Sequence, residues 1–202
     1  MKHMRQGLII FALGLLVASG ASTATAQDGI VVQNVGKIVP YQPTKFEAGS
    51  TDASAQINTG DILNYHYFPG INLYSQGMYR DAKEQMDYVI ARPHYIERNP
   101  KRAEILSISH FIRGNIYFRH SSGLGRLALA KGDFEDSIKW NSENHLARLE
   151  LARLVATLNQ QGEAIAMLSD LQKAKLKPEL RQEVDADLEA LKSGKFKAVK
   201  SE

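Results

Sequence analysis

The sequence predicts an all-α protein built from about three pairs of helices. Part of it repeats with a period of 34 residues, which is the length of one helix pair. Within the repeat, a small, a large and a medium-sized residue follow one another at spacings of four and three, as along one stripe of a helix. This triplet occurs three times: Ala82, Met86 and Val89; Ala130, Phe134 and Ser137; Ala164, Leu168 and Leu171.

The first helix pair is predicted to begin near Asp61, a residue type that can cap a helix. Its turn lies at residues 77–78. Pro69 falls inside the first helix, where a proline removes a hydrogen bond and clashes with the preceding turn. We therefore expect a kink, or a late helix start near Phe68. Pro93 ends the second helix.

An insertion separates the first helix pair from the second. The triplets that begin at Ala82 and Ala130 lie 48 residues apart, which exceeds the repeat by 14. Residues 92–102 contain two prolines, and we expect them to form a loop in this insertion. The later helices are predicted at 103–119, 126–140, 144–158, 163–173 and 179–191.

The segment 132–144, GDFEDSIKWNSEN, resembles the end of a tetratricopeptide repeat unit. Gly114 and Tyr117 lie three residues apart, as a glycine and an aromatic residue do in that family. The resemblance covers residues 61–176. It implies paired antiparallel helices stacked into a short right-handed solenoid, whose concave side usually binds a peptide or another protein. A C-terminal helix at 177–192 would cap the last open core.

The family's groove positions place a mixed set of aromatic and polar side chains on the concave side. These candidate binding residues are Asn64, Tyr67, Tyr74, Asn115, Arg119 and Arg153. The resemblance implies that aromatic rings anchor an extended peptide while guanidinium groups bind a carboxylate. The insertion leaves the register of the helix at 103–119 open by one turn. As an alternative, residues 27–60 or a neighbouring copy cover the groove.

Residues 1–26 have the pattern of an export signal. Lys2 and Arg5 precede an apolar run at 7–18, and Ala24-Thr25-Ala26 forms a small-x-small cleavage site. The alternative is a membrane anchor, but a span needs about 20 apolar residues. We expect a mature chain that begins at Gln27 and is soluble in a bacterial periplasm or outside the cell.

The two ends of the mature chain differ in composition from the repeats. Residues 27–60 contain short β-prone runs broken by prolines and by a stretch rich in glycine, serine and threonine. They are either a flexible, irregular arm or an arm that lies on the solenoid or adds a strand to a partner. Residues 193–202 form a basic tail that we expect to be disordered and solvated, and not to anchor the protein in a membrane.

Composition and charge exclude several kinds of partner and site. The chain has no cysteine, hence no disulfide or thiolate metal site. It has 25 basic and 22 acidic side chains; without Lys2 and Arg5 the count is 23 to 22, a charge of +1. So small an excess argues against nucleic acid as the partner. We also expect no cofactor.

No catalytic or metal motif emerges from the sequence. The GxGxxA pattern at 123–128 follows a predicted helix, whereas a dinucleotide-binding turn follows a strand. The histidines of the mature chain lack the i, i+4 spacing of a zinc site and are expected to be scattered. Carboxylates such as Asp133, Glu135 and Asp136 are predicted to lie at a helix start, where they complement the macrodipole. We therefore predict that the protein is not an enzyme.

Two hypotheses remain for the function. The first is a non-catalytic adaptor that holds a protein or peptide segment, within an envelope assembly or secretion system. The second is a structural subunit whose aromatic N-terminal half is buried against a copy of itself or a larger complex. Six of the eight tyrosines lie between Tyr65 and Tyr95, and tyrosine is enriched at interfaces.

Overall fold

A computed structural model describes residues 59–198, which form seven helices. Helix α1 consists of three consecutive segments: α-helical Thr59–Ile62, π-helical Leu63–Tyr67 and α-helical Phe68–Ser75. The others are α2 (Tyr79–Ile90), α3 (Arg102–Arg119), α4 (Arg126–Trp140), α5 (His145–Thr157), α6 (Gln161–Leu171) and α7 (Pro178–Lys192). The described residues contain no strand, so the all-α class is confirmed for this part of the chain.

The helices pack in the order of the sequence. Each helix contacts the next, and α3 also contacts α5, as α5 contacts α7. Short connections between packed neighbours make consecutive helices antiparallel. A main hydrophobic core extends from α2 to α7. A smaller core joins α1, the end of α2 and the start of α3 around Ile62, Val89 and Ile105.

The nine residues of the three predicted triplets are buried, each with at most 1% of its surface exposed. Two glycines lie against the large residues of these triplets. A Cβ added to Gly114 would lie 2.9 Å from the ring of Phe134, and one added to Gly70 would overlap Met86. The stripe therefore forms the contact between the two helices of a pair.

A residue in the left-handed backbone conformation precedes each triplet by five positions. Gly77, Gly125 and Asn159 have φ angles of 78°, 84° and 69°. The same two backbone hydrogen bonds close α1 and α5. At the end of α1, Met78 N–H donates to Leu73 O and Gly77 N–H donates to Tyr74 O. At the end of α5, Gln160 N–H donates to Val155 O and Asn159 N–H donates to Ala156 O. The 48- and 34-residue spacings therefore recur in the turns as well as in the core.

Helix α1 continues through Pro69, so the predicted alternative of a late helix start near Phe68 is wrong. A π-helical turn at Leu63–Tyr67 precedes the proline, and Phe68 N–H donates to Leu63 O five residues back. The wider turn relieves the clash that a proline ring makes with the carbonyl one turn earlier. The predicted loop at 92–102 also contains a 3₁₀ turn, Pro93–Ile96, whose Ile96 is buried.

Several predictions concern residues outside the described range. The export signal at 1–26, residues 27–58 of the predicted arm at 27–60 and residues 199–202 of the tail lie beyond it, while the last two residues of the arm, 59–60, begin helix α1. Within the described part of the tail, Phe196 is half-buried and packs against the main core. Among residues 59–198, no helix has both the length and the apolar character to cross a bilayer.

Candidate functional site

Three of the six candidate binding residues differ in their surroundings. Asn64 is exposed in the π-helical turn of α1. Tyr67 is buried in the smaller core. Asn115 is buried in α3, where its side-chain amide donates to Phe111 O. Tyr67 and Asn115 thus present little surface to a partner.

Of the other three, Arg119 and Arg153 bind Glu150, and Tyr74 lies within electrostatic range of both Glu150 and Arg119. Arg119 Nη2 lies 2.5 Å from Glu150 Oε2, and Arg153 Nη1 lies 2.8 Å from Oε1. Tyr74 packs against the main core, and both Glu150 and Arg119 act electrostatically on its hydroxyl. The sequence had not indicated Glu150, which is only 3% exposed.

Helix α7 completes this group with two carboxylates. Arg153 Nε donates to Asp187 at 2.6 Å, and its Nη2 donates to Glu183 at 2.9 Å. The group contains one residue from α1 and others from α3, α5 and α7. We call it the odd-helix cluster; its members are Tyr74, Arg119, Glu150, Arg153, Glu183 and Asp187.

The positions of these side chains follow from helix geometry. Glu150 and Arg153 lie three residues apart in α5, and Glu183 and Asp187 lie four apart in α7, so each pair shares a helix face. Arg119 is the last residue of α3, where a cation complements the helix dipole. Asn144 fixes the start of α5, because its side chain accepts a hydrogen bond from Ala147 N–H.

The electrostatics of the cluster keep Glu150 and Arg153 ionised. Burial alone would raise the pKa of Glu150, but Arg119 and Arg153 hold that pKa below its ordinary value. Burial likewise opposes the charge of Arg153, yet Glu150 and Asp187 raise its pKa. Three carboxylates face two guanidinium groups, so the cluster has a formal charge of −1.

The two arginines differ in their remaining capacity to bind a ligand. Arg153 uses Nε, Nη1 and Nη2 for internal carboxylates, and its side chain is 13% exposed. Arg119 uses Nη2 for Glu150 and is 25% exposed, while its Nε is buried without a hydrogen-bond partner. A carboxylate of a partner would therefore meet Arg119 and not Arg153.

A second ionic network joins α2, α3 and α4. His110 Nδ1 lies 2.9 Å from Asp133, and Arg113 donates to both Asp133 and Asp87. Asp87 also accepts from Lys83. The assignment of Asp133 to a helix start is wrong, because it lies in the middle of α4 and is 4% exposed. His110 and Arg113 together hold its pKa below the usual value, although burial alone would raise it.

This second network contains a histidine–aspartate pair, a combination that also occurs in many hydrolases. The second oxygen of Asp133 is taken by Arg113, which also bonds Asp87. The arrangement ties three helices together, and we assign it a structural role. Among residues 59–198, no three His, Cys, Asp or Glu side chains are grouped as a metal ion would require.

Comparison of the chain with protein-family models, curated proteins and solved structures gives no match. The functional interpretation therefore depends on the geometry of the chain itself.

Proposed function

We propose that the protein is a non-catalytic, tetratricopeptide-like adaptor of the bacterial cell envelope that binds a protein or peptide segment. In this proposal the helix pairs form a short right-handed solenoid, and the partner lies along the side shared by α1, α3, α5 and α7. One observation supports it most strongly. Arg119 and Arg153, two of the predicted groove residues, come from two helices and bind one carboxylate, and Tyr74 from a third helix lies within electrostatic range of it.

The arrangement of contacts supports the same interpretation. In addition to consecutive pairs, α3 contacts α5 and α5 contacts α7. Such contacts between alternate helices are what stacking of helix pairs produces. The triplets lie inside each pair, so the odd helices can turn their other side toward a partner.

The chemistry of the odd-helix cluster indicates which segment it would bind. Its net charge is −1, and the carboxylates of Glu183 and Asp187 remain partly exposed at 26% and 16%. A basic side chain of the partner would therefore be attracted to α7, whereas an acidic group would reach only Arg119. We infer a partner segment of mixed charge and not a uniformly acidic peptide.

The proposal is tested by capturing the partner from envelope extract with a tagged form of the protein. The tagged protein is expressed in its own host, so that any processing takes place there before purification. Wild type is compared with Asn64→Arg, which adds bulk and charge at an exposed candidate residue, and with Arg119→Gln. The matched control is Gln161→Arg, which makes a similar change at an exposed position of α6.

We expect one partner to be recovered by wild type and by Gln161→Arg, and to be lost from both test variants. Thermal unfolding of each variant establishes that it is folded at the temperature of the assay. Equal recovery of that partner by folded Asn64→Arg and Arg119→Gln would contradict binding on the odd-helix side.

The alternative is a structural subunit of an envelope complex or homo-oligomer whose groove is buried. A specific observation favours it: Tyr65 and Phe68 are 59% and 41% exposed on α1, although aromatic rings of this size are usually covered. In that case Tyr65→Ser with Phe68→Ser would release the protein from its complex, while Asn64→Arg at the groove would not prevent assembly.

A further inference from the structure

Three connections between helices lie at one end of the helix array. Consecutive helices are antiparallel, so α2, α4 and α6 finish at the end where α3, α5 and α7 begin. We call this the basic end and define it by residues 91–101, 141–144 and 172–177. These residues contain six lysines and arginines and two glutamates, which gives a formal charge of +4. The six basic residues are Arg92, Arg98, Lys101, Lys173, Lys175 and Lys177.

The rest of the described chain does not share this positive charge. Residues 59–198 contain 20 basic and 18 acidic side chains, a formal charge of +2. Because the basic end alone carries +4, the remaining described residues together carry −2. The charge of the described chain is therefore distributed unevenly, with a positive excess at one end of the array.

Side-chain contacts join the three connections into one surface. The guanidinium group of Arg102, at the start of α3, lies over the ring of Trp140, at the end of α4, 5.2 Å from its centroid. Arg148, in the first turn of α5, donates to Asp170 near the end of α6 at 2.6 Å. Each contact links one connection to the next, so the charges of the basic end are neighbours in space as well as in number.

Four of the six cations at the basic end are available to a partner. They are exposed residues of two connections, Arg98, Lys101, Lys175 and Lys177. Within residues 59–198 none of these four forms a salt bridge, whereas Lys173 lies 3.7 Å from Asp170. An unpaired cation gives up no internal partner when it meets an anion, so the four lose little on binding.

Aromatic and apolar side chains accompany these cations. Leu146, in the first turn of α5, is 38% exposed. Trp140 and Tyr95 are half-buried at the same end. Tryptophan and tyrosine are enriched where the apolar part of a membrane meets water. Basic residues together with a few apolar ones are what peripheral proteins use to bind anionic bilayers.

We propose that the basic end is a docking surface for a bilayer of anionic phospholipid, to which the protein binds peripherally and reversibly. The four cations are individually exposed and come from two connections, so they match the spread charge of a lipid surface and not one phosphate group. Nucleic acid fits less well, because the described chain has a charge of only +2. The choice of a lipid surface rests on the proposed location in the cell envelope.

Docking through the basic end is compatible with partner binding. The helix axes would stand upright on the bilayer, which leaves the lateral side of α1, α3, α5 and α7 open to a protein or peptide segment. Membrane binding and partner capture use different residues and different assays. Failure of one is therefore distinguishable from failure of the other.

Cosedimentation with lipid vesicles tests the proposal on the full protein, expressed in its own host so that any processing takes place there. The vesicles contain phosphatidylglycerol and phosphatidylcholine in equal parts, and vesicles of phosphatidylcholine alone are the uncharged comparison. The test variant is Lys101→Gln with Lys175→Gln, which removes one unpaired cation from each of two connections. Thermal unfolding verifies that each variant is folded.

The matched control is Lys192→Gln with Lys195→Gln, which removes the same charge from exposed positions at the other end of α7. Helix α7 has 15 residues and is therefore about 22 Å long. At 0.1 M salt the Debye length is about 10 Å, so lysines at that distance contribute little to binding at the basic end.

We expect wild type to bind the anionic vesicles, to leave the uncharged ones unbound and to dissociate as the salt concentration is raised. The test variant should bind at least about tenfold more weakly, since each cation near an anionic bilayer strengthens binding about fivefold. The control should stay within about twofold of wild type.

Several results would overturn the proposal. Wild type that does not bind the anionic vesicles is one, and a test variant that binds like wild type or no worse than the control is another. Tighter binding to duplex DNA than to the vesicles would assign the basic end to nucleic acid. Release from the vesicles by inorganic phosphate, but not by chloride at the same ionic strength, would show a discrete phosphate site instead of a lipid surface.

Discussion

Glu150 Oε2 lies 2.5 Å from Arg119 Nη2, a buried ion pair that joins helix α5 to the end of α3. The same carboxylate is bound on its other oxygen by Arg153, which continues the network to α7. A buried charge is tolerated only when it is paired and hydrogen-bonded, so these side chains depend on one another. This pair is the centre of the odd-helix cluster and of the proposed binding site.

Substitution of Glu150 by Gln should destabilise the protein by about 3 kcal/mol, because the loss of one partner from a buried ion pair leaves the other uncompensated. Urea unfolding monitored by circular dichroism gives the free energy of unfolding. The matched control is Asp170→Asn, which breaks the pair of Asp170 with Arg148 at 2.6 Å on a more exposed surface. That control should cost less than about 1 kcal/mol. Similar losses for the two variants would show that Glu150 is not held as described.

Substitution of Gly114 by Ala should destabilise the protein by about 1–3 kcal/mol. The new Cβ would lie 2.9 Å from the ring of Phe134 and 3.2 Å from Asp133 Cβ, so α3 and α4 would have to separate. The same change at Gly132 in α4 meets nothing within 4 Å and should instead stabilise the helix by about 0.5–1 kcal/mol. Thermal or urea unfolding measures both. Opposite signs are expected, and a stabilised Gly114→Ala would contradict the close helix packing.

Substitution of Asn159 by Ala should cost about 1 kcal/mol, whereas Asn159→Gly should be neutral to within about 0.5 kcal/mol. The reason is the φ angle of 69°, which glycine adopts freely and alanine does not. Urea unfolding of the two variants beside wild type measures the difference. If alanine were tolerated as well as glycine, the turn between α5 and α6 would not have the conformation of the Gly77 turn.

Stability should fall as the pH is lowered below about 6.5, in part because of His66. Burial holds the pKa of this histidine below its ordinary value of 6.5, and its ring stacks on Tyr88 at 3.5 Å. The folded state therefore takes up fewer protons than the unfolded state in this range, and the stability difference develops between the two pKa values. Urea unfolding at pH 7.5 and pH 5 measures it.

Replacement of His66 by Phe should reduce this pH dependence, since phenylalanine can retain a ring stack without taking up a proton. His94→Phe, at an exposed position in the 3₁₀ turn, is the control and should leave the dependence in place. An unchanged difference between pH 7.5 and pH 5 in His66→Phe would assign the effect to other groups.

The local pattern of the sequence was sufficient to predict the helices. Periodic apolar positions placed α4 at 126–140, which are its bounds in the structure, and the others within about two residues. The triplets identified the core contact of each pair. These features depend on spacings of three and four residues, which a single helix determines by itself.

Features that depend on contacts between distant helices were not predictable in the same way. Glu150 pairs with Arg119 across 31 residues, and Arg113 pairs with Asp133 across 20. A signal for the first existed, because Glu150 is a carboxylate in an apolar helix with Arg153 three residues later. The π-helical turn before Pro69 was also missed, since it is a compromise between the helix and the proline ring.

Site-specific photo-crosslinking of the bound partner shows directly which side of the protein binds it. A photoreactive amino acid is placed at position Glu183, in the odd-helix cluster, and in a second protein at exposed Glu163 of α6. Binding in the odd-helix cluster predicts a crosslink to the partner from position 183 and none from position 163. A crosslink from position 163 alone would contradict binding along the side shared by α1, α3, α5 and α7.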